Sequence, residues 1–234
     1  METISIHRPK IVVIGSCNTD MVVKANRLPV PGETILGGTF YMNPGGKGAN
    51  QAIAAARLGA EVTFISKIGY DLFGLQALEI YRSEKINTEY IFTDQKSPSG
   101  VALISVDSFG ENSIIVAPGA SRSLSIEDIN KAEEKIKEAD IILMQLEIPI
   151  DTVEYAATIA CKYGKKVILN PAPASSLSNS FLKNVHTILP NRIEAEMLSG
   201  IKVMNIESAH RAAQAIGEKG IENVVITLGK DGAY

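Results

Sequence analysis

Two carboxylates, a lysine and two asparagines stand where their types and spacing could hold a small polar ligand. Lys47 and Asn50 belong to the run Pro44-Gly45-Gly46-Lys47-Gly48-Ala49-Asn50-Gln51. Their spacing of three puts both on one face if a helix starts there. A lysine donor beside an amide that donates and accepts suits hydroxyl groups. The glycines allow backbone N–H groups at the helix start to approach a ligand closely. The run is not a Walker A loop, because Gly48 rather than Ser or Thr follows Lys47, and it lacks the GxGxxG dinucleotide spacing. A Gly-rich turn with a solvated lysine fits the same residues.

In Gly15-Ser16-Cys17-Asn18-Thr19-Asp20, Asn18 and Asp20 lie two apart and share a face if extended. Asp20 could accept bonds from vicinal hydroxyls; an Asx turn is the plainer alternative. Glu147 closes the apolar run 142–146, at the mouth of an expected strand, where a surface loop carboxylate is the other reading. Asn191 and Glu194 are spaced as a capping box with Asn in place of Ser or Thr, and such a helix start also favours anions. Thr227-Leu228-Gly229-Lys230-Asp231-Gly232 combines a hydroxyl with two glycines after the last expected strand. A nucleotide-phosphate turn and a plain tight turn both fit it. His7, His186 and His210 have neither metal-ligand spacing nor a Ser or Cys partner in sequence, and Cys17 has no evident activator.

These residues need elements to position them. β-branched or apolar runs at 11–15, 61–66, 140–146, 166–169, 185–189 and 224–227 read as strands. Helices are expected at 48–58, stopped by Gly59, at 71–83, capped by Asp71, from Ser125, at 151–164, at 191–198 and at 207–217. The alternation predicts βαβ units and a mostly parallel sheet covered on both faces, with ligands at the carboxyl ends of the strands. Residues 20–25 and 33–40, broken by Pro29, Pro31 and Gly32, read as edge strands or a small flap. Residues 101–106 and 113–117 read as a hairpin.

Composition narrows the class. Of 234 residues, 45% are hydrophobic and 21% charged, the balance of an ordinary globular protein. Aromatics are 6%, Trp is absent and the net charge is −3, which argues against a nucleic-acid surface. Cys17 and Cys161 form no CxxC pair. The start of the chain lacks the apolar core of a signal peptide, and no run approaches a membrane span. The expected compartment is the cytoplasm.

In order along the chain, the stretches 15–20, 31–34, 45–52, 110–112, 144–147, 169–173, 190–196 and 226–229 together resemble the ribokinase/PfkB family of carbohydrate kinases. The resemblance covers essentially the whole chain. It implies a three-layer α/β/α sandwich with a mostly parallel central sheet and a small β lid, drawn from roughly 20–40 and 90–117, within one ribokinase-like domain. It implies ATP-dependent phosphorylation of D-ribose to ribose 5-phosphate, sugar contacts at Asn18, Asp20, Gly46, Lys47, Asn50 and Glu147, and ATP contacts at Asn191 and at Thr227, Leu228, Gly229, Lys230, Asp231 and Gly232. Glu194 matches an Asn-x-x-Glu element that tunes Mg²⁺ and phosphate binding. Mg²⁺, a monovalent cation such as K⁺ and a homodimer formed through the lid are implied too.

One departure is large. The family's Gly-Ala-Gly-Asp-type motif, which forms the anion hole and supplies the general base, belongs C-terminal to Thr227-Leu228-Gly229. The sequence reaches Tyr234 first, so the Asp base is expected beyond Tyr234, and the chain as given is expected to be truncated and inactive. Other readings stay open: a kinase for 2-deoxyribose, fructose or adenosine, or a non-catalytic sugar-binding fragment.

Overall fold

In a computed structural model the described residues are 8–234; His7 and the start of the chain lie outside them. The elements run β1 (Lys10–Ile14), β2 (Asn18–Lys24), β3 (Thr39–Gly45), α1 (Lys47–Arg57), β4 (Glu61–Gly69), α2 (Leu72–Ser83), β5 (Ile91–Asp94), β6 (Gly100–Val106) and β7 (Asn112–Ala117). They continue with α3 (Ile126–Lys131), α4 (Glu133–Glu138), β8 (Ile141–Met144), α5 (Ile150–Lys162), β9 (Lys166–Leu169), α6 (Asn179–Leu182), β10 (Thr187–Ile188), α7 (Arg192–Ser199), α8 (Ile206–Gly217) and β11 (Asn223–Val224).

Seven strands form one sheet in the order β11-β10-β9-β8-β1-β4-β5, and every pairing in it is parallel. A parallel sheet is buried on both faces, which is why β1, β8 and β9 are near-continuous apolar runs. Side-chain alternation divides β1 between two cores. Val12 and Ile14 pack with Ile142, Met144 and the apolar faces of α3 to α8. Val13 packs with Phe64, Val62 and the α1 and α2 residues Ala49, Ala52, Ala77 and Tyr81. Helices therefore cover both faces, giving the three-layer α/β/α sandwich with a parallel sheet.

The lid is a second sheet, β3-β2-β6-β7. Its pairs are antiparallel for β2/β3 and β6/β7 and parallel for β2/β6. Several sequence expectations change in the structure. The strand expected at 33–40 lies instead at Thr39–Gly45. Arg27 and Glu33 form an ion pair across the preceding loop, and Gly37 and Gly38 have positive φ, so pairing with β2 begins only after them. Pro44 is tolerated because β3 is an edge strand, whereas β2 is internal. The lid does not start near 90, since β5 pairs with β4 in the main sheet and β6 begins at Gly100. The strands expected at 185–189 and 224–227 shorten to two residues each, and the helix opened by Ser125 breaks at Ala132 into α3 and α4.

α1 sits unusually close to β1. A Cβ on Gly48 would lie 2.7 Å from Gly15 C and Ser16 N, so only glycine permits this approach. Ala49, Ala52 and Ala55 continue the small face inward, and Gly59 at φ 96° follows the helix's end. At α2, Asp71 accepts from the Gly74 N–H at 2.9 Å, the cap expected from the sequence.

Candidate functional site

Because the main sheet is parallel, the carboxyl ends of β1 and β8 open on the same edge, with α1 starting between them. Four of the sequence-predicted residues meet there. Glu147, three residues past β8, accepts from Ser16 Oγ at 2.6 Å, from the Lys47 main-chain N–H at 2.9 Å and from Lys47 Nζ at 2.6 Å. Burial pushes the Glu147 carboxyl up, but these donors outweigh it and hold the group below the usual range. Asp20, on β2, goes the other way: burial and the nearby Glu147 charge raise it, with Lys47 partly offsetting both. The site thus holds one firmly ionised carboxylate, one that gains a proton more readily, and one ammonium.

Asn18 begins β2 two residues before Asp20, on the same strand face. Its side-chain oxygen is buried and has no hydrogen-bond partner in the structure. An unpaired buried amide oxygen costs free energy unless a donor arrives, which suits a ligand hydroxyl. Gly46, at φ 90°, lies directly against this segment, where a Cβ would stand 2.9 Å from Cys17 Cα and 3.0 Å from Asn18 N. Asn50 is exposed one turn beyond Lys47 on α1.

The helix start departs from expectation in part. Two of its N–H groups turn inward, Lys47 N–H to Glu147 and Ala49 N–H to Ser16 O at 2.9 Å. They fasten α1 to β1 and β8 instead. Ser16 and Gln145 were not singled out from the sequence. Ser16 lies in a motif the sequence marked, but its direction toward Glu147 is a tertiary fact. Gln145 is buried and bonds Gln51 of α1.

The second group of predicted residues lies at the ends of β10 and β11, on the same edge. Asn191 caps α7 through the Glu194 N–H at 2.9 Å, and Glu194 Oε2 accepts the Asn191 N–H at 2.8 Å. This is the capping box read from the sequence, with Glu194 buried. Thr227 pairs beside Asn191, and Gly229, at φ 65°, and Gly232, at φ 86°, turn the chain back so that Leu228 N–H meets Gly232 O at 2.8 Å. Lys230 is exposed. Arg192, unmarked by the sequence, holds this turn by bonds to Leu228 O at 3.3 Å and Asp231 Oδ2 at 2.8 Å. From β10 to β1 is three strand spacings, about 14 Å, so the two groups flank one cleft edge.

An apolar hollow of about 680 Å³ is lined by Ile11, Leu58, Leu143, Ile168 and Leu189 and reaches Asn191, Glu194 and Thr227 at its margin. It does not include Asp20, Lys47 or Glu147. Among the described residues no cluster of three or more His, Cys, Asp or Glu side chains could hold a metal directly. No helix there is long and apolar enough to cross a membrane. Burial raises the Cys17 thiol to about 11, offset only in part by the Ser66 hydroxyl, which donates to Cys17 Sγ at 3.3 Å. His186 and His210 make peripheral contacts with Glu222 and Tyr234.

Comparison with known proteins gives a family match over residues 8–234, to the pfkB family of carbohydrate kinases. A ribokinase of Haemophilus influenzae is 46% identical over 227 residues, covering 97% of this chain and 74% of the relative. A deoxyribokinase of Salmonella typhi is 39% identical, covering 95% of this chain and 73% of the relative. The structure of Arabidopsis thaliana ribokinase complexed with ribose and ATP superposes with a TM-score of 0.85 at 31% identity, covering 97% of this chain and 74% of that one. The chain thus spans about three quarters of the length of these relatives.

Proposed function

The chain belongs to the pfkB family of carbohydrate kinases, and on that premise we propose that it serves the ATP-dependent phosphorylation of D-ribose to ribose 5-phosphate. The observation that carries the sugar reading is the cleft between β2 and the α1 start. There the unpaired Asn18 oxygen and the Asp20 carboxylate lie near the Lys47–Glu147 pair. Two carboxylates with one ammonium attract hydroxyl donors and repel a phosphate, so a neutral sugar fits and a sugar phosphate does not.

In this reading Asp20 and Asn18 bind sugar hydroxyls, Gly46 brings the backbone close, and Lys47 and Asn50 complete the polar wall. Glu147 holds Lys47 in place and keeps acceptor capacity on Oε1 for the sugar. Neither Asp20 nor Glu147 is assigned as the proton acceptor, since both are committed to binding in this reading. ATP lies along the β10/β11 edge, against Asn191 and the Thr227–Gly232 turn, with its polyphosphate toward the sugar. Transfer then runs in line to a primary hydroxyl, and catalysis is mostly positioning and charge stabilisation. Glu194 is half committed to its cap and fits an indirect, water-mediated contact with a nucleotide-borne Mg²⁺, which would neutralise phosphate charge when bound. K⁺ is assigned to no described residue. ATP use is consistent with a cytoplasmic setting.

We also propose a homodimer formed through the lid. On the lid face opposite Asp20, Met42, Met21, Leu103 and Ile115 form a row across all four strands. Of these Met42, Leu103 and Ile115 are exposed, as is Phe40 on the same face, and an apolar patch of this kind marks an interaction surface.

The substrate test is a coupled assay of the full-length protein with ribose, 2-deoxyribose, fructose, adenosine and fructose 6-phosphate. Ribose is expected to give the highest kcat/KM. A preference for 2-deoxyribose, as the deoxyribokinase relative's name would suggest, changes the sugar but keeps the site; a preference for fructose 6-phosphate overturns the site.

A further inference from the structure

The lid is joined to the body at one point on this side of the cleft. The chain leaves the body at Ser99 to enter β6, and it returns from β7 through Pro118 and Gly119. Ala120 N–H binds Pro98 O at 2.8 Å, and a Cβ on Gly119 would overlap that same carbonyl, so the outgoing and returning segments are in contact.

Ser99 is buried and fully engaged. Its N–H donates to Asp71 Oδ2 at 2.7 Å and its hydroxyl donates to Asp71 Oδ1 at 2.7 Å. The same hydroxyl accepts from Gly69 N–H at 3.0 Å. Asp71 meanwhile caps α2 through Gly74 N–H at 2.9 Å. Capping needs only one of its oxygens. The second is used on the root of the lid.

The next residue, Gly100, is the register partner of Asn18 in the β2/β6 ladder. Asn18 places its side-chain oxygen where a Cβ on Gly100 would be. The backbone position of Gly100 therefore decides where the Asn18 amide sits, and that oxygen is the buried, unpartnered acceptor of the sugar cleft.

We propose that Asp71 is a positioning residue for sugar binding: by holding Ser99 from both its N–H and its hydroxyl, it fixes Gly100 and so aims the Asn18 amide at the sugar. The proposal rests on Asn18 being a sugar contact.

The decisive variant is Asp71→Asn. Asn caps helices about as well as Asp, so the Gly74 bond survives. Its one acceptor oxygen cannot serve Gly74 and both Ser99 donors, and its NH₂ group would face the Ser99 N–H. Ribose and ATP affinities of the full-length protein are measured by calorimetry, with Asn18→Ala in parallel. A bond to a charged acceptor is lost, so the ribose Kd should rise about tenfold. The ATP Kd should stay within about twofold, as should kcat at saturating ribose, because a positioning role touches sugar binding alone. Equal losses for ribose and ATP would mean a purely structural role and overturn the proposal. An unchanged ribose Kd in Asp71→Asn, with a weakened one in Asn18→Ala, would overturn it while leaving the sugar site intact. Undiminished ribose binding by Asn18→Ala would instead remove the sugar-site reading beneath it. If Asp71→Asn does not fold, Ser99→Ala decides, since it removes the hydroxyl link but keeps the cap and the N–H bond. A rise of the ribose Kd alone supports the proposal, and no rise overturns it.

Discussion

Lys47 gives Glu147 both its ammonium and its main-chain N–H, across a separation of 100 positions. The two bonds fall on different carboxylate oxygens, and Ser16 adds a third donor. A side chain at the first residue of α1 is thereby locked to the loop after β8. Asp20 stands near enough that Glu147 raises its affinity for a proton.

That asymmetry sets a pH dependence. As the pH falls, Asp20 protonates above its ordinary 3.8, while Glu147 stays ionised below its ordinary 4.5. A protonated Asp20 loses its charge-assisted bonds to hydroxyls. Ribose affinity should therefore weaken at a pH above 3.8. In Glu147→Gln the repulsion is gone, so the residual affinity should weaken only at lower pH. Calorimetry across the acid range reads both limbs, and a wild-type limb at or below the ordinary Asp value would count against Asp20 as the group. In stability the two carboxylates have opposite signs. The Glu147 contribution is present above its unfolded value and lost as the pH falls through its lower folded one. The Asp20 shift disfavours the folded state once the group ionises, so that term is relieved on acidification.

Asp20→Ala should weaken ribose binding by about 1.5–3 kcal/mol, the usual worth of hydrogen bonds to a charged group. ATP binding should barely change, because the residues proposed for the nucleotide lie at the β10/β11 edge of the main sheet whereas Asp20 is on β2 of the lid. Separate titrations of the two ligands check this, and parallel losses would show that Asp20 shapes the whole cleft rather than the sugar's place in it.

The lid row makes a prediction about assembly. Leu103 pairs in register with Met21 on one side and Ile115 on the other. A charge at its centre, Leu103→Glu, should convert a dimer to a monomer in sedimentation. The fold should persist, because Leu103 is exposed in the single chain. A wild-type monomer at working concentrations would remove the lid interface.

Thiol chemistry should separate the two cysteines. Cys161 is exposed, whereas Cys17 is buried and its thiol is raised to about 11. The thiolate is the reactive form. A chromogenic disulfide reagent should titrate one thiol in the native protein and two after denaturation. Two fast equivalents in the native state would mean that the segment before β2 opens readily.

The sequence alone determined the parallel sheet and most of its helices, because those follow from local patterns. Apolar runs marked β1, β8 and β9, and Asp71, Ser125 and Asn191 marked their helix starts through side-chain caps that reach only three residues. The same local logic placed Asn18, Asp20, Lys47 and Glu147 at element ends, where a parallel sheet puts its ligands. Only the tertiary structure decided which of them touch. Pairing with β2 moved the second lid strand to Thr39–Gly45, and pairing with β4 took Ile91–Asp94 into the main sheet. Strand membership belongs to the partner as much as to the segment. Likewise a carboxylate in sequence carries no mark of its donor. Glu147 meets Lys47, and the second oxygen of Asp71 meets Ser99, only because packing brings together groups 100 and 28 positions apart, and no local periodicity records a contact made through space.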